Sequence, residues 1–158
     1  MWAWAISLGC CLAAAWLEGA FAGPRVRRQL HEIKMPQFAP RFWGWIAIGL
    51  CYYATALLIL SRLLPLPASS LKTLSLALLG SVLFMNALWN LFFFRRREFG
   101  QAFSVSVVYS ILACVLFAVL VFVDLVTALI FLPYVLYLAY ANTFGYRVWR
   151  LNEPKLLR

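Results

Sequence analysis

The sequence predicts an all-α integral membrane protein, a single bundle of five transmembrane helices. Three observations lead there. Of the 158 residues, 65% are hydrophobic and 12% charged, against about 45–50% and about 25% in a soluble domain. The apolar residues fall in five runs, each close to the roughly 20 residues a helix needs to cross the hydrocarbon core. The basic residues, which give a formal net charge of +9, stand in short blocks between those runs. A nucleic-acid surface would gather them into one patch. Blocks at the ends of apolar runs are membrane topology instead, and no nucleic-acid partner is expected.

The first span is read over residues 2–22. Ala20-Phe21-Ala22 imitates a signal-peptide cleavage site, but no basic segment precedes the apolar run, so a retained helix is expected. Residues 23–42 make the longest loop, the only one with room to act as a lid. Pro36 and Pro40 favour an extended or turned path in it. The second span, 43–60, starts with Trp43 and Trp45 at the interface and carries Tyr52 and Tyr53 deeper. "PLPASS" is a stiff turn into the third span, 74–94, which stops at Arg95, Arg96 and Arg97. Spans four (102–123) and five (126–148) are separated by almost nothing, so they form an antiparallel hairpin. Asp124 is placed to cap the fifth helix, where acidic charge is favoured.

Five spans put the first loop, the third loop and the C-terminal end on one side. Twelve of the 14 basic residues fall there, leaving Arg62 and Lys72 on the other. By the positive-inside rule the C-terminus faces the cytoplasm and the N-terminus faces away.

Chemistry-bearing residues are sparse. The acidic residues Glu18, Glu32, Glu98, Asp124 and Glu153 are scattered, and no Ser/His/Asp set or phosphate-binding loop is present. No catalytic residue is assigned, and the chain is expected not to be an enzyme. Cys10, Cys11, Cys51 and Cys114 lie inside apolar runs without metal-ligand spacing and read as packing residues; no metal site is expected. Glu18, near the end of the first span, reads as a side chain snorkelling to the interface, with a cavity mouth as the sharper alternative. On the third span Asn86, Trp89, Asn90 and Phe93 share a face. Periodicity alone makes the amides interhelical glue; a polar contact in a ligand cavity is the alternative. Leu138, Asn142, Gly145 and Trp149 form a comparable stripe on the fifth span, where Pro133 is read as lying within the first turns.

Several segments together resemble the TspO/translocator protein (tryptophan-rich sensory protein) family. "LHEIKMPQFAPRFWGW" followed by "YY" is similar to the family's Pro-x-Trp-x-Pro-Pro loop and second helix, with Pro36, Phe38, Pro40, Trp43 and Tyr53 in matching places. "MNALWNLFFF" resembles the third-helix pattern through Asn86, Trp89, Phe93 and Phe94. "FLPYVLYLAYANTFGYRVWRLN" resembles the fifth-helix pattern through Pro133, Tyr134, Tyr146, Trp149, Arg150 and Asn152. The chain departs from the family at Phe38 (for Trp), Arg41 and Leu91 (each for Pro), Ala47 and Gly49 (for Pro and Trp), and Gly145 (for Asn). A cholesterol-type motif around Tyr146 fails for want of an upstream Leu or Val.

The resemblance implies a pocket between the helices for a tetrapyrrole, sterol or related lipid. Its walls would be Phe38, Trp43, Tyr53, Asn86, Trp89, Phe93, Tyr134 and Gly145, with the glycines at 49 and 145 widening it. Placed in this register, Asn86 moves toward a ligand contact, while Asn90 stays a packing amide. No cofactor is required; a porphyrin or heme-type ligand or a lipid is the occupant implied. The rival reading is a structural or accessory subunit that keeps the fold but not the pocket. Homodimerisation or a membrane-protein partner stays open, with Gly19/Gly23 and Ala77/Ser81 as small-xxx-small pairs.

Overall fold

A computed structural model describes residues 2–153; Lys155 and Arg158, counted above among the basic residues, lie outside the described residues. Five long helices are apolar enough to cross a membrane. They are α1 (Trp2–Ala22), α3 (Phe42–Leu63), α4 (Ser70–Asn90), α5 (Phe99–Val123) and α6 (Leu125–Asn152), with a short α2 (Val26–Glu32) in the first loop. The protein is an all-helical, multi-pass integral membrane protein.

The helices close into a ring. α1 packs on α3 and α4, α4 on α5, α5 on α6, and α6 back on α3. Outside the ring, Trp16, Trp43, Leu50 and Phe122 are exposed, as lipid-facing side chains are. One half of the ring is solid: Ile59, Leu63, Val82, Leu116, Leu120 and Ala128 are completely or almost completely buried together. In lipid the stabilisation comes from close packing of this kind, because apolar surface gains nothing by leaving hydrocarbon.

The end of the bundle beyond the solid half is sealed by capping chemistry. Ser69 Oγ accepts from Lys72 N–H at the start of α4. Lys72 Nζ donates to the Leu64 and Leu66 carbonyls, closing the end of α3, where a cation is favoured. Asp124 accepts from Val126 N–H at the start of α6 and pairs with Arg62 at 2.8 Å. Burial pushes the Asp124 carboxyl up. The hydrogen bonds from Thr127 and Arg62 outweigh that and hold it below the usual carboxylate range.

The opposite, basic end is built differently. α4 does not stop at Asn90; it continues as a π-helical turn, Leu91–Arg96. Phe93 and Phe94 of that turn are buried, while Arg95, Arg96 and Arg97 are exposed. Arg97 then takes a left-handed conformation (φ 59°), and both its N–H and that of Glu98 reach the Phe92 carbonyl. A helix stop of this kind favours glycine; here arginine fills it.

Two local expectations change. The first loop is not extended throughout. The prolines act on residues 33–41, whereas residues 26–32 hold none and form α2, with an Arg28–Glu32 pair one turn apart at 2.9 Å. Pro133 lies in the interior of α6, beyond the first turn, where backbone N–H groups have no intrahelical acceptor to lose. Lacking an N–H, it leaves the Leu129 carbonyl without its intrahelical donor.

Candidate functional site

Where the lower half is filled, the half toward the basic end holds a cavity of about 250 Å³. Every helix contributes to its lining. α3 supplies Phe42, Trp45, Gly49 and Tyr52, α4 supplies Asn86, Trp89 and Asn90, and α6 supplies Tyr134, Tyr137 and Phe144. Ser106 and Tyr109 come from α5, and Glu18 from α1. Val26 and Leu30 of α2 reach it from above, so the loop helix lies over the mouth.

The walls are aromatic. Trp45 and Trp89 stack with centroids 6.4 Å apart, and Trp89 stacks on Phe93 at 4.5 Å. Tyr52 and Tyr134 meet at 5.1 Å. Such pairs add stabilisation beyond their area and hold the rings in fixed orientations.

The polar groups converge on Glu18. Asn86 Nδ2 donates to Oε2 at 2.9 Å and Asn90 Nδ2 to Oε1 at 2.9 Å. The Tyr53 hydroxyl also donates to Oε2. Asn86 and Asn90 are four apart and therefore on one face of α4, which lets both reach one carboxylate. A carboxylate is acceptor-only when ionised, and all three partners are donors. Glu18 therefore turns into the bundle and does not snorkel. Asn90, 6% exposed, is more than a packing amide. Its N–H also reaches the Asn86 carbonyl at 3.0 Å.

Elsewhere in the cavity Tyr109 and Tyr134 share a hydroxyl–hydroxyl hydrogen bond. The Tyr52 hydroxyl is buried and has no partner among the described residues. Beside the cavity, Asn142 Nδ2 donates to Ser110 Oγ at 2.6 Å and Asn142 Oδ1 accepts from Ser106 at 3.0 Å, which is the glue between α5 and α6.

The lid is latched on three sides. Asn152 accepts from Lys34 N–H at 3.1 Å and donates to its carbonyl at 2.9 Å. The Tyr140 hydroxyl donates to the Phe38 carbonyl at 3.0 Å. Glu32 pairs with Arg97 and Arg28, and these guanidiniums, Arg97 first, hold its carboxyl below the usual range.

Of the eight site residues expected from the sequence, Asn86, Trp89 and Tyr134 line the cavity. Tyr53 stands behind it, holding Glu18, and Phe93 is buried behind Trp89. Phe38 is 45% exposed and packs edge-on against Tyr140, outside the cavity. Trp43 is 76% exposed and points away. Two residues along a helix are about 200° apart, so Trp45 faces in because Trp43 faces out. Gly145 faces α5: a Cβ there would lie 3.6 Å from the Phe103 ring. Gly49, by contrast, lines the cavity and opens on empty space. The site residues expected from the sequence leave out Glu18, for which a cavity mouth is the alternative reading, and Trp45, Tyr52, Tyr137 and Phe144, all of which line the cavity. For Glu18 a signal existed: an ionisable residue inside a membrane span is a site hypothesis by default.

A five-helix membrane bundle with an aromatic cavity under a latched loop defines the class of protein. The chain belongs to the TspO/MBR family, whose family model matches residues 7–150. No curated protein matches it.

Proposed function

We propose that the cavity binds a hydrophobic ligand of the tetrapyrrole, sterol or related lipid class, in a non-catalytic sensory, regulatory or translocator role. One observation carries this reading: a space walled by Trp45, Trp89 and Tyr134 contains a deliberately held carboxylate and an unpartnered Tyr52 hydroxyl. Apolar walls with a few convergent polar groups are the makeup of a small-molecule site. Family membership supports it. So does Gly49, which leaves room where the resemblance places a tryptophan.

The volume, about 250 Å³, is below the roughly 300–1,000 Å³ of sites that enclose drug-sized ligands. A large macrocycle therefore enters by one edge, with α2 lifting to admit the remainder. Its carboxylates face the basic end, away from Glu18. On the charge distribution, that end lies on the cytoplasmic side.

The test is titration of detergent-solubilised protein with protoporphyrin IX, followed by tryptophan fluorescence. Saturable quenching that weakens at least tenfold in affinity in Trp89→Phe is expected. Linear, non-saturating quenching, equal in both proteins, would overturn the proposal.

A further inference from the structure

We infer that the site selects a ligand carrying a protonated amine on a flat apolar body, with Glu18 as its counter-ion. The inference rests on the cavity being a site for hydrophobic ligands and adds a preference within that class: of two flat apolar molecules, the one that carries an amine is held more tightly.

Glu18 is set in the membrane-spanning part of the chain without a cationic partner: none of the ion pairs among the described residues includes it. Its contacts are all neutral donors. A carboxylate offers about four lone-pair sites. Among the described residues two donors, Tyr53 and Asn86, occupy Oε2, whereas Oε1 accepts from Asn90 alone. One acceptor site is left, on a residue that lines the cavity. Charge removed from water is costly until it is paired, and an ammonium group supplies both the charge and the missing donor.

Two further features point the same way. Tyr52 is 7% exposed and lines the cavity, and its hydroxyl has no partner among the described residues; it is free to accept a second N–H. Trp45, Trp89 and Tyr134 line the cavity and give it aromatic surroundings of the kind that attract an organic cation. An anionic head in the same place would meet a like charge. Of the three donors around Glu18, Tyr53 and Asn90 are spent on Glu18 and the Asn86 carbonyl, which leaves one Asn86 N–H, too little to offset the like charge.

The experiment uses three probes of one shape: 2-naphthylmethylamine, 2-naphthylmethanol and 2-naphthoic acid. Each is titrated by calorimetry into the purified full chain in a neutral maltoside detergent at pH 7. The amine is expected to bind at least tenfold more tightly than the alcohol, with the acid weakest. In Glu18→Gln the amine preference falls below threefold, while Glu18→Asp, which keeps the charge, keeps the amine first. An alcohol that binds as tightly as the amine to the native chain would overturn this inference and leave the ligand site standing. A preference unchanged in Glu18→Gln would likewise overturn it. Failure of all three probes to bind, with protoporphyrin IX still quenching saturably, would overturn this inference alone; failure of the porphyrin as well would overturn the reading of the cavity as a site. Should Glu18→Gln fail to fold, the ranking on the native chain decides by itself.

Discussion

Replacing Asn90 by alanine tests the Glu18 network without any ligand. The side chain is 6% exposed and donates to Glu18 Oε1 at 2.9 Å and to the Asn86 carbonyl at 3.0 Å. If Asn90 were ordinary interhelical glue, its loss would cost about 0.6 kcal/mol, the average for such bonds in a membrane protein. A hydrogen bond to a charged group is worth about 1.5–3 kcal/mol, and a stranded acceptor adds to the loss. Oε1 has no other protein donor among the described residues, so the larger figure applies. Asn90→Ala is expected to cost about 2 kcal/mol. In a Glu18→Ala background only the bond to Asn86 remains to be lost, and the cost falls to about 0.6 kcal/mol. The coupling, about 1.5 kcal/mol, is read from the double-mutant cycle. The assay is reversible unfolding in mixed detergent–SDS micelles, followed by tryptophan fluorescence. Ser81→Ala is the reference, since Ser81 is exposed and bonds only within its own helix. Equal costs of about 0.6 kcal/mol in both backgrounds would refute the reasoning and return Glu18 to the interface.

Other outcomes follow from the same geometry. Gly49→Leu projects into open space in the cavity; it should leave the unfolding midpoint unchanged yet lower porphyrin affinity at least tenfold in the quenching assay. Gly145→Ala places its Cβ at an ordinary 3.6 Å from Phe103 and should be silent for both stability and binding, whereas Gly145→Leu should destabilise the α5–α6 packing. Asn152→Ala removes both bonds to Lys34. Hydrogen exchange at the Lys34 amide should quicken about tenfold, as expected for the loss of about 1–1.5 kcal/mol of local protection. The Asp124 carboxyl is held below its ordinary value, so its contribution is present above the unfolded carboxylate range and is lost as pH falls through the folded value. Acid titration of the unfolding midpoint should show that loss below about pH 4, and Asp124→Asn should remove that part of the slope.

Charge blocks and apolar run lengths were enough to read five spans, because a bilayer imposes length and polarity on each segment independently of its neighbours. The α5–α6 hairpin and the Asp124 cap were equally legible, since a connection of one residue leaves no other geometry. The short α2 was hidden. Its seven residues have no strong periodicity, and it is held by distant partners: Glu32 pairs with Arg97, and Val26 and Leu30 pack against the cluster that includes Phe93, Phe94 and Phe144. Trp43 and Trp45 show the limit most sharply. Both are interfacial tryptophans by sequence, and only the rotation of α3 against α6 decides that one meets lipid and the other meets Phe144 at 5.1 Å. Gly49 and Gly145 divide in the same way, one toward the cavity and one toward Phe103.

Composition and run length were enough for a membrane protein, its five spans and the basic character of one end, and the motifs for the family. Tertiary structure decided what Glu18, Asn86 and Asn90 do. A carboxylate on α1 and two amides on α4, 68 and 72 residues away along the chain, become one polar site only when those helices pack side by side. Helical periodicity fixes which residues share a face but not which neighbour that face will meet, and a polar side chain in lipid takes its meaning from the group that satisfies it.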